Sequence, residues 1–207
     1  MQATLVTLIL CVTLIHTVYS QSNETEEDVL GTDRFFYFAY GSNLLLKRLR
    51  LRNPSAVFFR GAKLENHRLD FYMVSDTWNG AVATIVEDEG QEVMGALWVL
   101  ENKHMETLDE QEGVALGWYF AKNVTVTTSL GGRVLARTYE EIEEPPKLKK
   151  GELIPPDRLP SSTYLQVMLM GAIETLLPPS YIAYLISFPT NGKMASTEMR
   201  DQLDYPF

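Results

Sequence analysis

"AVATIVEDEGQEVMGALWVL", residues 81–100, decides the fold class. Its β-branched, aromatic and small apolar residues read as two strands, 81–88 and 92–100. Working outward, "KLENHRLDFYM" (63–73) reads as another strand, and "FFYFAY" (35–40) as an aromatic one before it. Downstream, "WYFAKNVTVTT" (118–128) and "RVLARTYEE" (133–141) flank Leu130-Gly131-Gly132 and read as a hairpin. Helices are few. One is expected over 44–51, with Ser42 or Asn43 suited to its N-cap. A second spans 102–114 and is closed by Gly113. A third spans 164–177 and is broken by Pro178-Pro179, with a short helical stretch after it. The proline- and charge-rich "EEPPKLKKGELIPPDRLPSS" (143–162) reads as a long loop. Many strands, short connections and scattered helices predict an α+β domain built on a mostly antiparallel curved sheet or small β-barrel flanked by helices.

The chain has 207 residues, 45% of them hydrophobic, which matches one domain with a proper core. Its net charge of -9 argues against nucleic acid as a partner, because a phosphate backbone would be repelled.

The N-terminus carries the apolar run "TLVTLILCVTLI" (4–15), followed by "VYS" with Val18 and Ser20 at the small-residue positions of a cleavage site. Residues 1–20 are expected to be a signal peptide cut after Ser20, leaving a secreted, extracellular chain with no membrane segment. The run is short of the roughly 20 residues that a spanning helix needs. Residues 21–34 form an acidic, flexible leader and residues 35–207 the folded domain. The one cysteine, Cys11, lies in the signal segment, so the mature chain has no disulfide and no thiolate chemistry. Sequons stand at Asn23 and Asn123, while Asn53 is excluded by Pro54.

Conventional catalytic equipment is sparse. Two histidines remain after cleavage, His67 and His104, and neither has metal-ligand spacing; no P-loop, G-x-G-x-x-G or G-x-S-x-G is present. The acidic helix is more informative. At about 100° per residue, Met105, Leu108 and Glu112 share a stripe. Glu106 and Glu110 fall on the far side, with Asp109 between. Glu112 therefore points with the apolar face, where desolvation raises a carboxyl toward neutrality and suits it to accept and donate a proton. The same pattern fits a helix-terminal glutamate bonded to a backbone amide. The turn Tyr40-Gly41-Ser42-Asn43 has a matching pair of readings. It is either punctuation between strand and helix, or a cluster of N–H groups suited to a carboxylate or an oxyanion.

At these residues the chain resembles the γ-glutamylcyclotransferase family. "YFAYGSNLL" looks like the family's signature loop, and "LRNPSAVFF", "LDF", "TWNGAVATI", "LDEQEGV", "GWYF" and "TYLQVMLMGA" follow in the family's order over about 35–172. The resemblance implies a small β-barrel flanked by helices. It also implies release of an amino acid from an α-(γ-L-glutamyl)-L-amino acid with formation of 5-oxo-L-proline, without metal, cofactor or covalent intermediate. By position, Glu112 corresponds to the catalytic acid/base. Tyr37, Phe38, Ala39, Tyr40, Gly41 and Ser42 correspond to the substrate-binding loop, with Asn43 beside it, and Tyr119 and Tyr164 to pocket tyrosines. The implied partner is a small γ-glutamyl peptide, and a homodimer stays open. Two segments depart from the family pattern: the long 143–162 loop, which feeds into Tyr164, and the stretch after Pro178. Two alternatives remain. One is a relative acting on glutathione or γ-glutamyl-lysine; the other is a secreted binding protein that kept the fold without turnover.

Overall fold

In the computed structural model, residues 30–149 and 151–206 are described. The signal segment and most of the acidic leader expected at the N-terminus lie outside the described residues. Arg34–Phe207 forms one unit by its internal contacts. Five strands close into a barrel in the order β1-β3-β2-β4-β5: β1 (Arg34–Ala39), β2 (Val57–Ser75), β3 (Gly80–Glu101), β4 (Tyr119–Thr128) and β5 (Arg133–Glu141). Among the described residues five α-helices flank it: α1 (Leu46–Arg50), α2 (Met105–Gln111), α3 (Ser162–Glu174), α4 (Pro179–Ile186) and α5 (Thr197–Gln202). The expected α+β barrel is the observed one.

The two strands expected over 81–100 are one. β3 runs unbroken for 22 residues against the 19 of β2, from Ser75↔Gly80 to Val57↔Val99. The reason lies across the ladder. Between the pairs Glu65↔Glu92 and His67↔Glu87 the register shifts, Asn66 adopts φ 57° and Gly90 φ 79°, and the Gly90 N–H donates to Asn66 Oδ1 at 3.1 Å. A bulge absorbs the residues between the two expected strands, and the strand bends instead of ending. The bend lets one long hairpin supply two walls. The second half of β3 also pairs with β1, from Arg34↔Glu101 to Ala39↔Ala96.

Closure needs one parallel contact, Tyr37↔Arg137 between β1 and β5, and an antiparallel one, Ala62↔Thr128, between β2 and β4. The barrel interior is apolar, with Phe38, Ile85, Leu97, Val126 and Val134 at most 1% exposed. Burial of this kind stabilises by about 25 cal/mol per Å² of apolar surface.

Two local expectations are corrected. No side chain caps the helix after the turn. Ser42–Leu44 is a 3-10 turn, and α1 starts only after the extended Leu45. Asn43 is drawn instead across the chain, as described below. The third helix starts earlier than Tyr164, at Ser162, with Ser161 accepting the Tyr164 N–H at 3.2 Å as N-cap, and ends at Glu174. Pro179 then opens α4 at its first turn, where a missing N–H costs nothing.

The long loop is pinned by arginines. Arg158, 4% exposed, donates to Asp70 Oδ1 (2.6 Å) and to the Pro146 carbonyl (2.9 Å), while Arg68 donates to the Pro145 carbonyl (2.8 Å). α3 crosses the 3-10 turn at Gly171, where a Cβ would lie 2.4 Å from Leu44 C and Leu45 N. That close approach sets Tyr164 over the turn.

Candidate active site

β1, the turn after it, β3, the residue after α2, β4, β5 and α3 line a cavity of about 310 Å³, counting the space open to solvent. Five tyrosines line it: Tyr37, Tyr40, Tyr119, Tyr139 and Tyr164. Gly41, Ser42, Asn43, Ala83 and Glu112 complete the wall.

Glu112 stands just past α2 in helical geometry (φ -85°, ψ -2°), and Gly113 leaves the helix at φ 66°. Leu108, one turn earlier, is fully buried, so the apolar stripe carries the glutamate inward as its spacing implies. Oε1 accepts from Asn43 Nδ2 at 2.7 Å and from the Tyr37 hydroxyl at 3.2 Å. Both bonds fall on Oε1, so among the described residues Oε2 is the oxygen left to take or give a proton. The amide of Asn43 is itself oriented by Gln111 Nε2, which donates to Asn43 Oδ1 at 2.7 Å. Gln111 Oε1 in turn accepts from Asn53 Nδ2 at 3.1 Å. This chain of amides ties the turn to α2.

Burial is the main influence on the Glu112 carboxyl and pushes it up to about 7. The nearby Arg48 charge and the Tyr37 and Asn43 hydrogen bonds oppose it, and Asp109 adds to it. Asp109 faces away, toward Arg137 Nη2 at 2.6 Å and the Tyr139 hydroxyl. Glu110 is exposed, as its place on the helix predicts.

Another wall is built on the backbone of one residue, Ala83. The Tyr119 hydroxyl donates to the Ala83 carbonyl at 2.8 Å, and the Ala83 N–H donates to the Tyr164 hydroxyl at 3.0 Å. Tyr164 also packs edge-on against Trp78, with ring centroids 4.9 Å apart. Burial raises all five phenols, Tyr164 to about 12, so they stay neutral donors and acceptors. At Gly41 a Cβ would sit 3.0 Å from the Tyr164 hydroxyl and 3.3 Å from Ala83 Cβ. Glycine there keeps the gap between turn and helix open.

The structure thus brings Tyr37, Tyr40, Gly41, Ser42, Asn43, Glu112, Tyr119 and Tyr164 to one cavity. It does not bring Phe38 and Ala39 to it. Both are buried in β1, where Thr138 Oγ1 bonds the Phe38 carbonyl at 2.9 Å. Alternation along a strand sends Tyr37 to the cavity and its neighbour elsewhere. Tyr139 and Ala83 were missed. No sequence pattern marked Tyr139; the structure buries Thr138 to Glu141 without a break after the alternating burial of "RVLAR". Arg48 was missed too. Its Cζ lies 5.9 Å from the Trp78 ring centroid.

A relative from Bos taurus, named "Gamma-glutamylcyclotransferase", is 41% identical over 184 residues, covering 84% of this chain and 92% of its own. The chain belongs to the γ-glutamylcyclotransferase family. The Homo sapiens protein of that name is 40% identical over 189 residues, covering 87% of this chain and 94% of its own. The AIG2-like family model matches residues 92–185, from β3 to α4. A solved structure titled "Gamma-glutamyl cyclotransferase" superposes with a TM-score of 0.73 at 36% identity, covering 83% of this chain and 99% of that one. The family relation and the shared barrel thus span almost all of β1 to α5. Among the described residues, no group of three or more His, Cys, Asp or Glu side chains is placed to hold a metal ion. No described helix is long and apolar enough to cross a membrane.

Proposed function

We propose that this protein is an active γ-glutamylcyclotransferase, which releases a free amino acid and 5-oxo-L-proline from an α-(γ-L-glutamyl)-L-amino acid. One observation carries the reading. Glu112, whose carboxyl burial pushes up to about 7, lines the tyrosine-walled cavity with its Oε1 held by Asn43 and Tyr37.

The substrate brings its own nucleophile, the α-amino group of the γ-glutamyl unit. Glu112 takes a proton from that ammonium at Oε2. The freed amine attacks the γ-carbonyl carbon, and a five-membered ring closes. The attack is intramolecular, so the protein's main task is to hold the chain folded on itself. Neutral tyrosine hydroxyls and the N–H groups of the Gly41–Asn43 turn face the charge that develops on the carbonyl oxygen. Glu112 then returns its proton to the leaving amine as the C–N bond breaks. The ring nitrogen still carries two protons after attack and loses one of them, and the released amine gains one, so 5-oxo-L-proline leaves as the neutral lactam and the amino acid as its ammonium.

The same reading places the enzyme outside the cell, with residues 1–20 removed after Ser20 and a mature start at Gln21. Its support is the apolar run with its small-residue site, and the exposure of Asn123 in β4, where a sequon must face solvent to be glycosylated. Secretion from cells of the full chain, followed by N-terminal sequencing of the product, tests it; retention inside the cell with Met1 in place overturns it.

The activity is tested with γ-glutamyl-alanine, glutathione and γ-glutamyl-lysine, assaying 5-oxoproline from each. Release from γ-glutamyl-alanine is expected. Release from none of them overturns the activity and leaves a binding protein on this fold.

A further inference from the structure

Glu141 closes β5 opposite Tyr119 of β4 and is 2% exposed. Its neighbour Glu140 is held by Lys122 at 2.8 Å. Glu141 has no cation within ion-pair distance among the described residues. The titratable groups that face it are Asp70 on β2, Glu143 beyond β5, Tyr40 after β1, Tyr119 on β4 and Tyr164 on α3. None is basic.

A hydrogen-bond count shows which form this pocket accommodates. Glu141 Oε2 accepts the Met73 N–H at 3.1 Å. Oε1 lies 3.2 Å from the Tyr119 hydroxyl, which is also 2.8 Å from the Ala83 carbonyl. A phenol has one proton to give. An ionised Glu141 and the Ala83 carbonyl would compete for it, and one buried acceptor would go without. A neutral Glu141 resolves the conflict. Its own proton on Oε1 goes to the Tyr119 oxygen, the Tyr119 proton goes to Ala83, and every group is satisfied.

We propose that Glu141 is a positioning residue for the cavity: as a neutral acid it donates to Tyr119, keeps the Tyr119 proton on the Ala83 carbonyl, and so sets Tyr119 and Tyr164 against the two ends of the Ala83 residue. Burial is the main cause that raises this carboxyl, to about 7, against the Met73 and Tyr119 hydrogen bonds, which lower it, and with Asp70 and Glu143 adding to it. The neutral acid therefore prevails below neutral pH. As pH rises, Glu141 ionises, the Tyr119 proton swings to it, and the Ala83 carbonyl loses its donor. The substrate-facing wall loosens on the alkaline side. The inference rests on the cyclisation reading for its kinetic consequence only.

The test compares kcat/KM against pH for the wild type, Glu141→Gln and Glu141→Leu, with thermal unfolding of each as a check on folding. Gln copies the neutral acid: its amide donates to Tyr119, its carbonyl accepts from Met73, and it cannot ionise. The ratio of the Gln variant to wild type is expected to rise about tenfold between pH 6 and pH 9, as the ionisable wild-type group titrates away. Leu is expected to lower kcat/KM at pH 6 about tenfold, equivalent to roughly 1.4 kcal/mol. A Gln variant with the wild-type alkaline limb, or a Leu variant with wild-type kinetics, overturns the proposal. Carboxyl ¹³C resonances of glutamate-labelled protein, with Glu141 assigned from its loss in the Gln variant, read the same point without substrate. A carboxyl already ionised at pH 5 overturns the proposal even in a protein that releases no 5-oxoproline, so the two readings fail separately.

Discussion

Replacing Glu112 with Gln is expected to abolish turnover and stabilise the protein, by an amount that depends on pH. The carboxyl is raised from 4.5 to about 7 in the folded chain. In the unfolded chain it ionises near its ordinary value. Between those two pH values the unfolded state loses the proton that the folded state keeps, so wild-type stability falls as pH rises through the window. Below about 4.5 the group is protonated in both states and the site costs nothing. Above about 7 the full difference applies, roughly 2.5 pKa units or about 3 kcal/mol. The bonds from Asn43 and Tyr37 are already contained in that shift, since they hold it lower than burial alone would. Gln keeps the acceptor for both donors and does not titrate. The variant should therefore match wild type near pH 4 and exceed it by about 3 kcal/mol at pH 8. For a chain of this length that is a rise in melting temperature of roughly 5–10 °C. Urea unfolding of both proteins at several pH values measures the difference directly. The same preparations, assayed for 5-oxoproline, should differ by at least about 100-fold, the size of a lost general acid/base. A stability difference that does not change with pH would refute the raised carboxyl, and near-normal turnover would refute the proton shuttle.

Asn43→Asp sets a second carboxylate within 2.7 Å of Glu112 Oε1. The acid limb of the pH–rate profile, expected near 7 in the wild type, should move to higher pH, because like charges disfavour ionisation; an unmoved limb counts against the Asn43–Glu112 contact. Gly171→Ala drives a methyl into the backbone of Leu44 and Leu45. It should cost about 1–3 kcal/mol in thermal or urea unfolding and lower turnover as well, because Tyr164 and the turn shift together. Glu110→Gln should be nearly silent in both assays, within about 0.5 kcal/mol, since that side chain is exposed.

Spacing singled out Glu112 and the Gly41 turn, and the family resemblance supplied the tyrosines. A helix of 3.6 residues per turn puts Glu112 in line with Leu108, and the structure then decides between a desolvated carboxyl and one bonded to a backbone amide. Gly113 as a helix stop and Leu130-Gly131-Gly132 as a hairpin tip depend on backbone conformations set within a few residues. The strand-turn arrangement around Gly41 is local in the same way. These features followed from the sequence by itself because periodicity and φ/ψ preference act over one or two turns.

What the tertiary structure decided is what each of these local faces meets. Asn43 looked like an N-cap and became the donor that holds Glu112, because a residue 69 positions away came within hydrogen-bond reach of its amide. The residues between the expected strands 81–88 and 92–100 became a bulge, because Asn66 on the partner strand accepts the Gly90 N–H. Tyr139 and Glu141 belong to the site or its support only because β5 pairs with both β4 and β1 when the barrel closes. Local patterning determines which side of an element is buried. Only closure of the barrel determines that a buried glutamate finds a tyrosine there instead of a cation, and hence which proton it keeps.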